Sequence, residues 1–292
     1  GASSNIFGGQ GAIVDLGRDD DAVTKARAFQ YVEFGENGAR IAGGSRAASH
    51  LAFRAMLREA QEYAKGKSGN DDELLRAEDA KALIHVMEGK SQLLVHVEGA
   101  NDILAVLKLR QEFPAIRLVL VGVSEGWRVA DKIAAAGVPA IASALNDLPS
   151  SFEQLAATQS NIGRMKAAGV KVAIGMIDDN DSHQLRYSVQ YAGNLVGLAK
   201  VPGATGLTWN EAFVAITSAP AEIMGMGDRL GSLKAGRAAD IVIWDGDPLE
   251  LSSTAQLVMI DGIEQPLSNR QDRLRDRYKT PGEGALPKAY DR

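Results

Sequence analysis

Residues 93–123 read LLVHVEGANDILAVLKLRQEFPAIRLVLVGV. Leu93–Val97 and Arg117–Val123 are short, nearly continuous apolar runs, and Ala100–Phe113 between them carries its apolar residues at helical spacing. Strand, covering helix and second strand in one short segment make a βαβ unit. Strands apolar along their whole length, with no polar alternation, are those buried on both faces of a parallel sheet. The pattern continues downstream. A helix through Val129–Ala136 is broken by Gly137-Val138-Pro139, which leads into a strand over Ala140–Leu145. A further helix near Ser151–Ala168 ends at Gly169, and Val170–Ile177 is another strand. The phrases AAAGVP and KAAGVK share one design, in which a helix closes on a glycine and the chain turns directly into a strand.

Upstream, Gly11–Leu16 and Gln30–Phe34 are two more strand candidates, which makes six strands of barrel type. A long helix over Ala48–Gly66 and a polar, acidic stretch, Lys67–Glu78, lead to a helix over Asp79–Met87. A closed eight-stranded barrel would lack two strands, leaving unpaired edges and exposed apolar surface. Toward the C-terminus the character changes. Gly231–Gly236 is turn-rich, Asp240–Trp244 (DIVIW) is a β run ended by Asp245-Gly246-Asp247-Pro248, and Ala255–Ile260 followed by Asp261-Gly262 reads as a hairpin strand and its turn. The reading is an α/β barrel portion over residues 1–228, part of a small sheet over 229–266, and a charged terminal extension over 267–292, loosely packed from Asn269 onward.

Composition narrows the function classes. The formal charge of −5 gives no electrostatic basis for wrapping nucleic acid or an anionic membrane surface. No run approaches the length of a membrane span. Cysteine is absent, which removes disulfides, thiolate metal sites and a cysteine nucleophile. Gly1-Ala2-Ser3-Ser4 carries neither an initiator Met nor the charged-then-apolar pattern of a leader, so the chain is expected to begin inside a longer protein or to follow a removed leader.

The segment Ile216-Thr217-Ser218-Ala219-Pro220-Ala221-Glu222-Ile223-Met224-Gly225, followed by Asp228–Trp244 (DRLGSLKAGRAADIVIW), resembles the C-terminal signature of metal-dependent amidohydrolases of the imidazolonepropionase-like type. Gly8–Ala12 and Gly35-Glu36-Asn37 are similar to its upstream pieces. The resemblance implies a (β/α)8 barrel of TIM type with a metal site at the C-terminal ends of the strands, and a small β-sandwich built from both chain ends. It places the family's His-x-His before Gly1. The chain is then expected to be a fragment or one partner of a split protein, completed by an N-terminal segment or a second chain, and to form homo-oligomers. The apolar residues Ile241, Ile243, Val258 and Ile260 should line a dimer contact or an exposed patch.

The resemblance also implies metal ligands at defined strand positions. His96 stands where the fifth-strand His is expected, but Gly122 falls at the sixth-strand His, Ile177 at the eighth-strand Asp, and Tyr31 at the fourth-strand Lys. Gly and Ile side chains cannot ligate a metal. Against this stands Asp178-Asp179-Asn180-Asp181-Ser182-His183, directly after the last strand, which with His96 and Glu98 offers a rearranged oxygen-rich site. The commoner explanation of the same run is a solvated acidic loop with Asp181 or Ser182 capping the next helix. On the catalytic reading His96, Asp179 and His183 are the metal ligands, zinc being the metal expected if one binds. Asp178 and Glu98 handle protons, and Tyr31, Arg46 and Trp127 contact a small amide substrate.

The remaining features have simpler explanations beside the functional ones. Gly43-Gly44-Ser45-Arg46 offers backbone N–H groups and a guanidinium to an anion at a helix start, or is a turn between elements. Trp127 and Arg128 line a pocket, or Trp127 packs helix on barrel. His50 and His85 read as structural. Two hypotheses stand: a hydrolase of C–N bonds in amides or cyclic amides that draws on residues outside this chain, or a non-catalytic relative acting as a binding or partner subunit. Periplasm and cytoplasm are both compatible with the composition.

Overall fold

In a computed structural model, residues 5–17, 20–67, 74–177 and 182–279 are described. Nine strands and ten α-helices run through them. The main sheet has six strands in chain order: β1 (Phe7–Ile13), β2 (Lys25–Glu33), β3 (Gln92–Val97), β4 (Arg117–Gly122), β5 (Ala140–Ala142) and β6 (Val172–Ile174). Strands β2 to β6 are parallel, and β1 pairs antiparallel with β2. The six strands expected from the sequence are therefore five of barrel type and one hairpin partner. The link from Val14 to Thr24 is shorter than the dozen or so residues that a parallel crossover needs. The first strand also begins earlier than the run Gly11–Leu16 suggests.

Helices supply the crossovers. α1 (Gly35–Ile41), α2 (Arg46–Ala64) and α3 (Ala77–Met87) separate β2 from β3, α4 (Ala100–Glu112) joins β3 to β4, and α5 (Ala130–Ala136) joins β4 to β5. In α2, Phe53, Met56, Leu57 and Ala60 recur at three- and four-residue intervals and are buried, the stripe that seats this helix. Glycines at φ +60 (Gly137) and +91 (Gly169) terminate α5 and the helix before β6, in line with the repeated helix–glycine–strand phrases.

The helix expected over Ser151–Ala168 is instead a single 3₁₀ turn at Phe152–Gln154, a loop, and α6 (Asn161–Ala167). The loop's backbone finds other partners. Glu125 accepts the Ala156 N–H at 3.0 Å, the Trp127 indole donates to the Ala156 carbonyl at 2.8 Å, and the Trp127 N–H donates to Asn161 at 2.9 Å. Once those groups are satisfied tertiarily, a continuous helix gains nothing there.

The two faces of the sheet are covered differently. Leu93, Val95, Val97, Leu118, Leu120, Ala140, Val172 and Ile174 face the helices and join one large core. On the opposite, inner face, Leu94, Val119, Val121 and Ala173 pack against Ala219 and Ile223 of α9 (Ser218–Ile223), which follows α7 (Ser188–Leu198) and α8 (Trp209–Ile216). The exposed apolar interior expected of an incomplete barrel is thus absent at this level, because a downstream helix takes up the inner face.

The C-terminal part forms a three-stranded antiparallel sheet of β7 (Ile241–Trp244), β8 (Ala255–Ile260) and β9 (Ile263–Glu264). Asp261 and Gly262, at φ 49 and 80, make the two-residue turn between β8 and β9. Leu249 anchors this unit in the main core, and Asp247 accepts the Trp209 indole N–H at 2.9 Å. None of its strand residues is buried; of the four apolar residues singled out from the sequence Ile243 is exposed and Ile241, Val258 and Ile260 are half-buried, and Val242, on the face opposite Ile243, is exposed as well. Of the stretch from Asn269, residues 269–279 are described. Asn269 and Asp272 form a reciprocal capping box that starts α10 (Arg270–Tyr278), a helix with no buried residue.

If α9 is what seals the inner face, shortening its central contact should cost core stability. Ile223→Ala is expected to lower unfolding free energy by about 2–5 kcal/mol in urea titration. A loss under about 1 kcal/mol, the scale of an ordinary surface change, would show that the helix does not carry this packing.

Candidate active site at the strand ends

Strand alternation places Tyr31 and Glu33 of β2 on the inner face, opposite Leu94 and His96 of β3. His96 and Glu33 are register partners, so their side chains meet above the apolar floor. The His96 Nδ1 lies 2.8 Å from Glu33 Oε2, and Nε2 lies 3.0 Å from Glu98 Oε1. Carboxylates accept only, so both ring nitrogens donate and the ring is an imidazolium. Burial opposes that charge, but the hydrogen bonds and negative charges of Glu33 and Glu98 outweigh burial and raise His96 to about 10. Burial likewise works against ionisation of Glu33, and the His96 contact prevails, holding this carboxyl below its usual range. For Tyr31, burial first and then Glu33 and Glu98 push the phenol above its usual range, so it stays a neutral donor to Glu33. Its ring lies nearly parallel to the imidazole, with centroids 6.4 Å apart.

Glu98 is positioned by the start of the next loop. Its second oxygen accepts the Ser124 N–H at 2.8 Å and the Ser124 hydroxyl at 2.6 Å, and Asn146 donates to that hydroxyl at 3.0 Å. Gly122 makes this possible. Its φ is +90, and a Cβ there would sit 2.4 Å from Glu98 Oε1 and 3.0 Å from the His96 ring. The space that a side chain at 122 would enter is filled by the carboxylate and the imidazole. These groups line a cavity of about 430 Å³, with Asn37, Ser143, Asn146, Gln154 and Ile177 completing the wall.

The structure brings together three of the residues singled out from the sequence: Tyr31, His96 and Glu98. Asp178 and Asp179 lie outside the described residues. His183 is exposed in a turn, and among the described residues no three His, Asp or Glu side chains are grouped to hold a metal. Arg46 is absent from the cavity wall. It contacts Asp102 at 2.8 Å, Glu153 at 3.7 Å and Glu36 at 3.9 Å, and Ser45 spends its hydroxyl capping the Ala48 N–H. Trp127 is also absent from the wall, its indole N–H bonded to Ala156 and its ring covered by the Arg164 guanidinium at 4.5 Å. His50 stacks on Phe34 at 4.5 Å, and burial holds its pKa below the usual value, in keeping with a structural role. Glu33 was missed, although it sits two residues beyond Tyr31 on the same strand face and the period of two could have found it. Ser143 and Asn146 come from irregular segments and Gln154 from the single 3₁₀ turn, with no sequence signal.

The amidohydrolase family profile matches residues 32–268. Among curated proteins, the amidohydrolase tasK of Hapsidospora irregularis is 50% identical over 60 residues, 20% of this chain and 6% of that protein. The imidazolonepropionase of Maricaulis maris (strain MCS10) is 34% identical over 99 residues, 34% of this chain and 23% of that enzyme. The chain therefore matches well under two thirds of the length of either relative. The crystal structure of an amidohydrolase from Thermotoga maritima MSB8 shares the fold, with a TM-score of 0.76 at 24% identity over 90% of this chain and 69% of that one.

The clamp around His96 makes a pH-dependent contribution to stability. A histidine whose folded pKa lies above its unfolded value of about 6.5 stabilises fully below that value, and the contribution fades as pH rises toward about 10. Urea titrations from pH 6 to 10 are expected to show a steeper decline for the native chain than for His96→Gln. Parallel declines would mean that the imidazolium is not held as described. With the family profile matched over most of its length and the Thermotoga structure confirming the fold, the chain belongs to the amidohydrolase family.

Proposed function

We propose that this chain is a binding member of its family, in which the strand-end cavity takes a small polar ligand and does not perform zinc hydrolysis on its own residues. One observation carries the reading: both ring nitrogens of His96 are committed to carboxylates, at 2.8 and 3.0 Å. A metal at His96 would have to break one of those bonds and take up ligands that Gly122 and Ile177 do not provide. Among the described residues the donor set therefore does not fit a hydrolytic divalent ion, and no chemical step is assigned through one. The wall suits a ligand rich in hydrogen-bond donors, such as an amide. Glu33 and Glu98 against one imidazolium leave a formal negative charge, and Asn37, Asn146 and Gln154 add amide groups.

On this reading the five parallel strands are part of a (β/α)8 barrel, and the C-terminal sheet is part of a β-sandwich. Further protein, either an N-terminal segment or a second chain, completes both, within a homo-oligomer. The exposed Val242 and Ile243 side chains of the C-terminal sheet, none of whose strand residues is buried, support that assembly. A second reading, C–N bond hydrolysis by the whole protein, draws its support from family membership. It requires ligands from outside this chain, or from Asp178, Asp179 and His183.

Elemental analysis separates the two. Untagged protein is incubated with zinc and with manganese, desalted and analysed beside His96→Ala, then assayed on N-acyl amino acids, dipeptides and cyclic amides. The binding reading expects no retained stoichiometric metal and no turnover. One equivalent of metal, lost in His96→Ala and accompanied by hydrolysis, would replace it with the hydrolase reading.

A further inference from the structure

The strand-end cavity has a charge and a set of unused acceptors that together select a ligand class. Its wall holds two carboxylates, Glu33 and Glu98, one imidazole, His96, and among the described residues no lysine or arginine. The formal charge is one negative with the imidazolium present and two with a neutral ring, so its sign is independent of the His96 proton. The surroundings carry the same sign. Glu153, next to Gln154, accepts the Glu36 N–H at 2.8 Å, a bond that favours its charged form. Its carboxyl nevertheless stands above the usual range, through burial first and then through the negative charges of Glu36, Glu98 and Asp102. The nearby guanidinium of Arg46 is bonded to Asp102 at 2.8 Å and lies 3.7 Å from Glu153. A cleft whose walls carry one sign of charge concentrates ions of the opposite sign.

Hydrogen bonding points the same way. An ionised carboxylate accepts at about four sites and donates at none. Glu98 uses three of them, on His96 Nε2 and on the Ser124 N–H and hydroxyl. Glu33 uses two, on His96 Nδ1 and the Tyr31 hydroxyl, and its side chain is 20% exposed on the cavity wall. Asn146 spends an amide N–H on the Ser124 hydroxyl, which leaves its carbonyl oxygen for a ligand. Beside these acceptors stand the N–H groups of Gln154, whose oxygen is taken by Ser150. A neutral amide satisfies the acceptors and leaves the charge uncompensated. A ligand with a carboxylate adds a further negative charge beside Glu33. A protonated amine or a guanidinium supplies both donors and charge, and its hydrogen bonds to a carboxylate are of the strong, charge-assisted kind.

We infer that the strand-end cavity binds a small organic cation, an ammonium or guanidinium compound without a carboxylate, on the free acceptor sites of Glu33 and the carbonyl oxygen of Asn146. This rests on the binding reading proposed above and names the ligand class of that same site. Charge-assisted bonds to Glu33 supply the affinity. Repulsion from Glu33 and Glu98 supplies the selectivity, because it disfavours anions and the carboxylate end of amino acids.

Calorimetric titration of the untagged chain at neutral pH and fixed ionic strength tests this with agmatine, 1,4-diaminobutane, arginine, ornithine and pentanamide. Agmatine and diaminobutane are expected to bind saturably, about tenfold or more tighter than their carboxylated counterparts and the neutral amide. Glu33→Gln should weaken the cations by about tenfold or more. Because Glu33 also holds His96, Gln154→Lys is the companion variant: it adds a positive charge to the wall without altering the Glu33–His96–Glu98 line. It should weaken the cations by a similar factor while urea unfolding stays as in the native chain, and Lys65→Ala, outside the cavity, should change nothing. Agmatine tighter than diaminobutane would assign a guanidinium, and the reverse an ammonium; either upholds the class. Arginine or pentanamide binding as tightly as agmatine would overturn the cation class and leave the binding reading standing. Indifference of the folded protein to either cavity variant, or no saturable binding of the cations, would overturn it as well. The binding reading itself falls on a different result, retained metal with turnover in the same preparation.

Discussion

A parallel sheet must remove both of its faces from water, because its strands are apolar along their whole length. Much of this molecule follows from how that demand is met. The outer face is covered by the crossover helices, and a large shared core results. The inner face would be covered in a closed barrel by the strands opposite. Here α9 lies across its lower part and buries Leu94, Val119, Val121 and Ala173. The free edge of β2 is taken by β1, which runs antiparallel after a link too short for a crossover.

The upper part of the inner face is handled by charge. Glu33, His96 and Glu98 form a continuous hydrogen-bonded line across β2, β3 and the turn that follows, with Ser124 and Asn146 satisfying the outer oxygen. An imidazolium between two carboxylates is a stable way to bury three ionisable groups. Each charge has an opposite neighbour, and the hydrogen bonds repay much of the desolvation. The arrangement depends on residue 122 having no side chain. It also brings the strand-end cavity to a negative formal charge.

The αβ alternation, the glycine-ended helices before β5 and β6, and the hairpin turn at Asp261-Gly262 were legible because each rests on local chemistry. Periodicity reports burial, and a left-handed residue reports a chain reversal. His96 and Glu98 were legible as neighbours on one strand. Arg46 and Trp127 illustrate the opposite case. Their residue types suit ligand contact, but Asp102, Glu36, Glu153, Ala156 and Arg164 reach them from other parts of the chain, and those partners leave no local trace.

By itself, the sequence determined the class of fold, the order and approximate extent of most elements, the family, and the presence of a histidine at one strand end. Only the tertiary structure decided the direction of β1, the closure of the inner face by α9, the break between Phe152 and Asn161, and the pairing of His96 with Glu33. Strand direction and side-chain pairing are set by contacts between residues far apart in the chain. Local propensity is nearly the same for a strand in either direction, and for a charged side chain whether its partner is a ligand or another part of the protein.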